Sequence, residues 1–346
     1  MMADMVRVGI AGLGRLGRIH AENIHGRIPS LKLVRVVDTV EEVARSTGER
    51  LGVPWSTRFD DLLNEATIEA VVLVTPTPMH APMIEQATAA GKHVFCEKPI
   101  ALDVETTQRA IAAARTAGVK LQIGFHRRFD PDWAAAARRI HRGELGAIQL
   151  FRTSLRDMCP PSLDYLKSSG GFFVDMMIHD FDTARWMAGE VDELTAFGAN
   201  LADPAIAEIG DVDHGIVVLR FASGALGIID DSRAAGYGYE CSTEVVGALA
   251  TARIAHHRRV NVEWLTPGSA STDYVADFLE QFPRAYALEL EDFAEAISSE
   301  RPVAVTGEDG LAALVLAQAA SRSLQEQRTV RIHRDESAGG VSDAVQ

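Results

Sequence analysis

The chain has 346 residues, of which 47% are apolar and 24% charged, as is typical of globular proteins. This length suits two domains of ordinary size, whose cores need neither disulfides nor a structural metal. The formal net charge of −14 argues against a nucleic-acid-binding protein, because such proteins neutralise phosphates with clustered lysine and arginine.

The first third of the chain alternates short apolar runs with helical patterns, which indicates consecutive strand–helix–strand units. The runs are rich in Val, Ile and Leu without polar alternation, as in parallel strands that helices cover on both faces. The predicted strands are Val6–Ala11, Leu33–Asp38, Ala70–Thr75, His93–Glu97 and Leu121–Phe125. The predicted helices are Arg15–His25, Val40–Leu51, Ala81–Ala90 and Val104–Ala117.

After about Phe125 the pattern changes to one of helices and antiparallel strands. The predicted helices are Pro131–His141, Phe172–Met187, Tyr286–Ser298 and Gly310–Gln327. The predicted strands are Ile148–Arg156, Gly215–Phe221, Leu226–Asp231, Glu244–Val246, Val260–Leu265 and Val330–His333. This half therefore predicts an α+β domain with helices on one face of a sheet.

A glycine-rich turn, Gly12-Leu13-Gly14-Arg15-Leu16-Gly17, directly follows the first strand and opens the first helix. In this setting Gly12 permits a tight turn, Gly14 lets the backbone approach a pyrophosphate, and Gly17 lets the helix pack on the strand. Asp38 ends the second strand, where a carboxylate accepts hydrogen bonds from ribose hydroxyls and repels a 2′-phosphate. The pattern predicts NAD rather than NADP; the alternative is a similar sheet without a cofactor.

Lys98 lies in the run Cys96-Glu97-Lys98-Pro99, at the end of the predicted strand His93–Glu97. Because the carboxyl ends of parallel strands face the ligand crevice, we expect Lys98 to point towards the nicotinamide. A desolvated lysine there can hold a substrate oxygen or assist proton transfer. The alternative is a solvated lysine before a turn proline.

Asp175, His179 and Asp182 follow one another at i, i+4 and i+7 of the predicted helix Phe172–Met187, and so on one face. Polar groups among Phe, Met and Ile are costly to bury unless satisfied, which indicates a face used in chemistry. Oxidation of a secondary alcohol needs a base, and histidine titrates near neutral pH. Two alternatives stay open: a capping aspartate beside a core histidine, and a zinc site, for which a third ligand is missing.

Taken together, these features resemble the Gfo/Idh/MocA oxidoreductases over nearly the whole chain. The motifs that carry the resemblance are Gly12–Gly17, Asp38, Gly91–Pro99, Gly124–Asp130 and Gly170–Asp182, in the order found in the family. Three further stretches resemble the inositol 2-dehydrogenase subgroup: Arg156–Asp157, Ser232–Tyr239 and Phe282–Tyr286. Two positions depart from the pattern, Thr77 in place of a frequent asparagine and Gly236 ahead of Tyr237.

The resemblance implies an α/β chain with an N-terminal Rossmann domain and a C-terminal α+β domain containing a large open, mainly antiparallel sheet, assembled as a homotetramer. The predicted boundaries are 1–126 for the NAD-binding domain, 127–333 for the substrate-binding and oligomerisation domain, and 334–346 for a disordered tail. Lys98 would contact substrate and nicotinamide, Asp175 would bind substrate, and His179 would be the base. The implied cofactor-binding residues are Gly12, Gly14, Arg15, Leu16, Gly17, Asp38, Thr75, His80, Glu97 and Lys98. The implied substrate-binding residues are Arg127, Asp157, Asp175, His179, Tyr239 and Tyr286, and no metal is implied.

The expected activity is NAD-dependent oxidation of a cyclic polyol, myo-inositol or scyllo-inositol, to the inosose. One alternative is a pyranose dehydrogenase of the same family. Another is a non-catalytic NAD- and sugar-sensing protein, which would have no chemical reason to keep Lys98, Asp175 and His179 together. We expect a cytoplasmic protein with no membrane partner, since the sequence has no signal-peptide pattern, no apolar run of about 20 residues and only three dispersed cysteines.

Overall fold

A computed structural model describes residues 5–255, 257–335 and 340–342 of the chain. The chain divides into two compact units, Met1–Phe129 with Arg284–Leu311, and Asp130–Pro283 with Ala312–Gln346. The sequence had grouped residues 284–311 with the second domain. They complete the first unit instead, because the apolar side chains of Leu290, Phe293 and Ala294 join its hydrophobic core.

The first unit is built on a six-stranded sheet in which every pair of neighbouring strands is parallel. Its strands are β1 (Val6–Ala11), β2 (Leu31–Val37), β3 (Trp55–Ser56), β4 (Ala70–Leu73), β5 (His93–Cys96) and β6 (Leu121–Ile123). Its helices are α1 (Arg15–Gly26), α2 (Glu41–Leu51), α3 (Asp60–Leu63), α4 (His80–Ala89), α5 (Val104–Ala117) and α12 (Ala285–Ser298). The order β3-β2-β1-β4-β5-β6 is that of dinucleotide-binding sheets, and it confirms the predicted Rossmann domain.

The second unit contains a seven-stranded mixed sheet. Its strands are β7 (Ile148–Arg156), β8 (Val191–Ala199), β9 (His214–Phe221), β10 (Leu226–Ser232), β11 (Glu240–Gly247), β12 (Thr251–Ile254) and β15 (Val330–Arg331). The order is β12-β11-β7-β10-β9-β8-β15, and only β7 and β10 pair in parallel. The predicted open, mainly antiparallel sheet is therefore confirmed.

The helices of the second unit are mostly short. They are α6 (Pro131–His141), α7 (Leu163–Leu166), α8 (Phe172–Asp175), α9 (Ile178–Ala188), α10 (Pro204–Glu208), α11 (Phe278–Gln281) and α13 (Gly307–Glu326), whose first residues belong to the first unit. A small hairpin joins β13 (Trp264–Thr266) to β14 (Ser269–Ser271). The predicted strand Val260–Leu265 is reduced to this hairpin, since its residues are exposed and lack a core to pack on.

Local sequence signals set several of the helix boundaries. Helix α5 begins after Asp103, whose carboxylate accepts the backbone N–H of Thr106, and it ends at Gly118 in the left-handed conformation. Helix α6 begins behind Asp130, whose side chain caps it, with Pro131 in the first turn. These bounds coincide with the predicted ones because capping depends on neighbours in sequence.

One predicted helix, Phe172–Met187, is in fact two. The N–H of Met177 donates to the carbonyl of Phe172, five residues back at 3.2 Å, and the next helix restarts on the carbonyl of Met177. This wide turn interrupts the regular i to i−4 ladder. Consequently Asp175 belongs to α8 and His179 to α9, and the periodicity of a single helix does not relate them.

The end of the chain differs from the predicted disordered tail where it is described. Strand β16 (His333–Asp335) pairs with β17 (Gly340–Ser342), whereas residues 336–339 and 343–346 lie outside the described residues. Within the described part of the chain, no helix combines the length and apolar character needed to cross a membrane.

Candidate active site

The glycine turn after β1 has the steric requirements that its sequence predicts. Gly12 has a φ of +90°, and a Cβ there would lie 2.4 Å from the carbonyl oxygen of Val74. A Cβ on Gly17 would lie 2.0 Å from the carbonyl oxygen of Gly12. Around Gly14, by contrast, nothing lies within 4 Å of such a Cβ, so the chain leaves open space where a pyrophosphate would approach.

The start of α1 and the end of β2 supply the other features of a dinucleotide site. No side chain caps α1 and its first turn has no acidic residue, so its N-terminal dipole remains available to an anion. Asp38 is half-buried, and its carboxylate accepts the N–H groups of Leu13 at 2.8 Å and Val40 at 2.9 Å. These bonds fix the carboxylate beside the glycine turn, with lone pairs left for ribose hydroxyls.

The other predicted cofactor residues differ in exposure. Arg15 is exposed, while Leu16 and Thr75 are half-buried. His80 is buried, and its two ring nitrogens lie 2.7 Å from the backbone carbonyl oxygens of Thr75 and Pro99. Burial lowers the pKa of His80, whereas the two carbonyl contacts act in the opposite direction. The ring therefore links the segments after β4 and β5, and its nitrogens are engaged with protein rather than turned to a ligand.

Lys98 follows β5 at the carboxyl end of the sheet, as predicted, and is half-buried. Glu97 before it is buried and bonds to His20, at 2.9 Å between the carboxylate Oε1 and Nε2. Arg127, on the short 3₁₀ helix after β6, is also buried. The first unit thus places two cations, Lys98 and Arg127, and one carboxylate, Glu97, beyond the ends of its central strands. All three residues belong to the site that the sequence predicts.

Tyr286, predicted to line the substrate pocket, lies on α12 in the first unit and is 2% exposed. Its ring packs on that of His126, with 4.8 Å between the centroids, and edge-on to that of His20 at 5.7 Å. Burial lowers the pKa of His126 well below its ordinary value, and the charges of Arg127 and Lys98 lower it further. Tyr286 and a neutral His126 therefore form a wall beside Arg127.

In the second unit, the predicted Asp175 accepts hydrogen bonds from two side chains. The hydroxyl of Tyr165 donates to Oδ1 at 2.7 Å, and Nη1 of Arg233 donates to Oδ2 at 3.1 Å. Arg233 is 1% exposed and also lies over the ring of Phe172 at 5.5 Å. Burial and the neighbouring Asp175 raise the pKa of Tyr165, so its hydroxyl remains a donor. Asp175 is accordingly held as a hydrogen-bond acceptor.

Asp157 and Arg233 share one edge of the large sheet because they follow β7 and β10, the only parallel pair among its described strands. The N–H of Asp157 donates to the carbonyl of Ser232 at 2.9 Å, and its own carbonyl accepts from Ala235 at 2.8 Å. The sequence predicted Asp157 but gave no reason to place Arg233 or Tyr165 in the site. The position of Arg233 depends on the parallel pairing of β7 with β10. The position of Tyr165 depends on where α7, the helix that carries it, packs.

The remaining predicted residues are His179 and Tyr239. His179 lies in the first turn of α9 and is half-buried, and its carbonyl accepts the hydroxyl of Thr183. Tyr239 is 4% exposed, with its ring edge-on to that of Phe282 at 6.4 Å. The exposed tyrosine of this stretch is instead Tyr237, which donates to Glu240.

Both units are similar to domains of known oxidoreductases. The chain matches the model "Oxidoreductase family, NAD-binding Rossmann fold" over residues 6–125 and "Oxidoreductase family, C-terminal alpha/beta domain" over 137–332. It is 40% identical to the myo-inositol 2-dehydrogenase of Thermotoga maritima, over 94% of this chain and 98% of that protein. It is 37% identical to the scyllo-inositol 2-dehydrogenase (NAD(+)) of Bacillus subtilis, over 96% and 97%.

The same similarity is found among solved structures. The scyllo-inositol dehydrogenase of Lactobacillus casei, solved with bound NAD(H) and scyllo-inositol, superposes with a TM-score of 0.89 at 33% identity, covering 95% of this chain and 99% of that one. Fold, glycine turn and family models together confirm the predicted NAD cofactor and the dehydrogenase class. The chain belongs to the Gfo/Idh/MocA family and is an NAD-dependent oxidoreductase.

Proposed function

We propose that this protein is an inositol 2-dehydrogenase, which oxidises a ring hydroxyl of myo-inositol or scyllo-inositol to the ketone. The observation that carries the proposal is the Asp175 carboxylate, which Tyr165 and Arg233 hold as an acceptor near Asp157 in the second unit. A polyol offers many hydroxyl donors, and acceptors fixed in this way select for them. Relatives named as inositol dehydrogenases over nearly the whole chain support the same substrate class.

The glycine turn and Asp38 would hold NAD, which when bound would supply the acceptor for the hydride from the carbon that carries the hydroxyl. His179 takes the hydroxyl proton, since histidine is the side chain whose ordinary pKa lies nearest neutral pH. Lys98 binds the reacting oxygen and stabilises the negative charge that develops on it. Asp175 binds a substrate hydroxyl and orients the ring. One proton and one hydride leave the alcohol, which balances the conversion to ketone and NADH.

The proposal is tested by following NADH formation with a panel of inositol stereoisomers and free pyranoses. We expect turnover of myo-inositol or scyllo-inositol in preference to any pyranose. Lys98→Ala and His179→Ala should each lower kcat by about 100-fold or more while the Kd for NAD stays within about twofold. The exposed residues Lys167 and His25 provide the matched controls Lys167→Ala and His25→Ala, which should behave as wild type.

Two results would contradict different parts of the proposal. Turnover of pyranoses with no activity on any inositol would replace the substrate assignment with the pyranose alternative. Near-normal kcat in Lys98→Ala or His179→Ala would remove the role assigned to that residue. Binding of NAD without turnover of any compound in the panel would favour a sensing protein.

We further propose that the protein is a homo-oligomer that assembles through the large sheet, as a tetramer by resemblance to its family. One sheet face exposes a row of apolar side chains, which we call the apolar sheet face: Phe197, Ile216, Val218, Leu226 and Ile228. Phe197 lies opposite Ile216, and Val218 opposite Ile228, so these side chains adjoin across strands. Exposed apolar surface of this kind is typical of an interface. We also retain the cytoplasmic location as a proposal, which the free thiols of Cys96, Cys159 and Cys241 support.

A further inference from the structure

Three buried titratable side chains from different parts of the chain meet inside the first unit. They are His20 of α1, Glu97 after β5 and Glu289 of α12, which we call the His–Glu–Glu cluster. Nε2 of His20 lies 2.9 Å from Oε1 of Glu97 and 3.8 Å from Oε1 of Glu289. His20 and Glu289 are 0% exposed and Glu97 is 7% exposed, so water does not solvate these charges.

The walls of the cluster are apolar or sterically closed. The rings of Phe95 and Tyr286 each lie edge-on to His20, with 5.7 Å between centroids. Backbone closes the side beyond Glu97, because a Cβ on Gly124 would lie 2.8 Å from Oε2 of Glu97. The three side chains therefore lie in a closely packed pocket. Their polar atoms depend on one another for electrostatic interactions.

Glu289 differs from Glu97 in its hydrogen bonding. Among the described residues, neither carboxyl oxygen of Glu289 has a hydrogen-bond partner, whereas Glu97 accepts from His20. A buried carboxylate without donors is very costly, and such a group takes up a proton instead. Burial and the adjacent charge of Glu97 raise the pKa of Glu289 well above its ordinary value.

Charged side chains beside the cluster act on its members and on their neighbours. Burial lowers the pKa of His126, and the charges of Arg127, Lys98 and His20 lower it further. The ring of His126 therefore stays neutral. Arg127 and Lys98 are the cations that act on His126, and Glu97 is the carboxylate whose charge acts on Glu289. A second anion at Glu289 would lie within 4.8 Å of the Glu97 carboxylate.

We propose that His20 and Glu289 are positioning residues for Lys98. His20 donates from Nε2 to the Glu97 carboxylate and holds Glu97 in place. Because Lys98 is the next residue, the backbone then holds Lys98 in position as well. Glu289 fills the space beside them as a neutral carboxylic acid, so that it adds no second carboxylate charge beside Glu97. The proposal rests on the proposed role of Lys98, but the state of Glu289 can be measured without it.

The protonation state is tested by the thermal stability of the full chain as a function of pH. A Glu289 kept neutral in the folded state holds a proton that the unfolded chain releases above about pH 4.3. Wild-type stability should therefore fall as the pH rises above that value, by up to tenfold in the unfolding equilibrium constant per pH unit. Glu289→Gln has the same shape and no charge, so it should become increasingly more stable than wild type from about pH 5 to pH 8.

Glu291→Gln is the matched control, since Glu291 is exposed on the same helix, and its stability difference from wild type should not grow with pH. A Glu289→Gln variant that is less stable than wild type across this range would overturn the neutral state. So would a divalent metal ion retained in stoichiometric amount by the purified wild type and lost from Glu289→Gln, because the three side chains would then be ligands.

The positioning role is tested by steady-state kinetics. His20→Ala should lower kcat about tenfold with little change in the Kd for NAD, because Lys98 shifts from its productive position. His20→Gln should recover most of kcat, since its amide nitrogen reaches about as far as Nε2. In a Lys98→Ala background, His20→Ala should cause no further loss.

An equal loss in both backgrounds, or no recovery in His20→Gln, would overturn the positioning role. If Lys98→Ala itself retains normal activity, the proposed function fails at that residue. The stability measurements on Glu289→Gln still decide the state of the cluster in that case.

Discussion

At the scale of single residues, the second unit shows how a carboxylate is prepared for binding. Asp175 is buried, yet it stays an acceptor because Tyr165 and Arg233 supply two donors. The hydrogen bond from Arg233 comes from a charged donor, and the hydrogen bond from Tyr165 orients the carboxylate. Neither donor is close to Asp175 in sequence, so the pair arises from the folded arrangement alone.

Tyr165→Phe tests this arrangement. Loss of a hydrogen bond to a charged group costs about 1.5–3 kcal/mol, so kcat/KM for the polyol should fall about tenfold or more. NAD affinity should not change, since Tyr165 bonds to Asp175 and not to a residue of the predicted cofactor site. Tyr274→Phe removes a hydroxyl elsewhere in the same unit and should leave the rate as in wild type. Equal kcat/KM for Tyr165→Phe and wild type would show that Arg233 suffices.

At the scale of elements, the junction of β1 and α1 contains two glycines that the fold requires and one glycine that cofactor binding requires. Gly12 and Gly17 are closed by backbone, whereas Gly14 faces open space. The three glycines of one motif therefore have different physical functions, in agreement with the separate roles that the sequence pattern predicts for them. The uncapped start of α1 lies directly beside Gly14.

Gly14→Ala and Gly17→Ala should consequently differ in phenotype. Gly14→Ala should keep the melting temperature of the NAD-free protein and weaken NAD binding about tenfold or more, because its methyl group occupies the space of the pyrophosphate. Gly17→Ala should lower the melting temperature by several degrees or prevent folding, since its Cβ would lie 2.0 Å from the Gly12 oxygen. Calorimetry and NAD titration measure both, and a stable Gly17→Ala protein would contradict the steric argument.

At the scale of the whole molecule, the apolar sheet face is a row of exposed apolar side chains that the proposed catalysis does not use. Strand alternation places Val217 and Leu219 in the core and exposes Ile216 and Val218 on the opposite face. An ordinary solvated sheet would carry polar residues at such positions. The apolar row fits the proposed interface with a second copy of the chain.

Val218→Glu should therefore yield a smaller species by sedimentation velocity than wild type at the same concentration. Leu201→Glu, at an exposed loop position outside the sheet, provides the control and should keep the wild-type mass. An unchanged mass for Val218→Glu, with the fold intact by circular dichroism, would exclude this face as the interface.

The sequence by itself determined the features that depend on neighbouring residues. Strand β1, helices α5 and α6, the glycine turn and Asp38 follow from periodicity, caps and turn chemistry, and their bounds or roles were predicted directly. The position of Lys98 also followed, because every parallel sheet exposes the carboxyl ends of its strands. Such signals are local, so no knowledge of distant packing is needed to interpret them.

Only the tertiary structure decided which distant residues meet. In the folded chain, residues 284–311 belong to the first unit, and the predicted helix is interrupted between Asp175 and His179. The ring nitrogens of His80 contact backbone carbonyls. The tertiary structure also brought His20 to Glu289, and Tyr165 and Arg233 to Asp175. The physical reason is that burial makes each polar group depend on partners that packing supplies, and sequence separation carries no record of those partners.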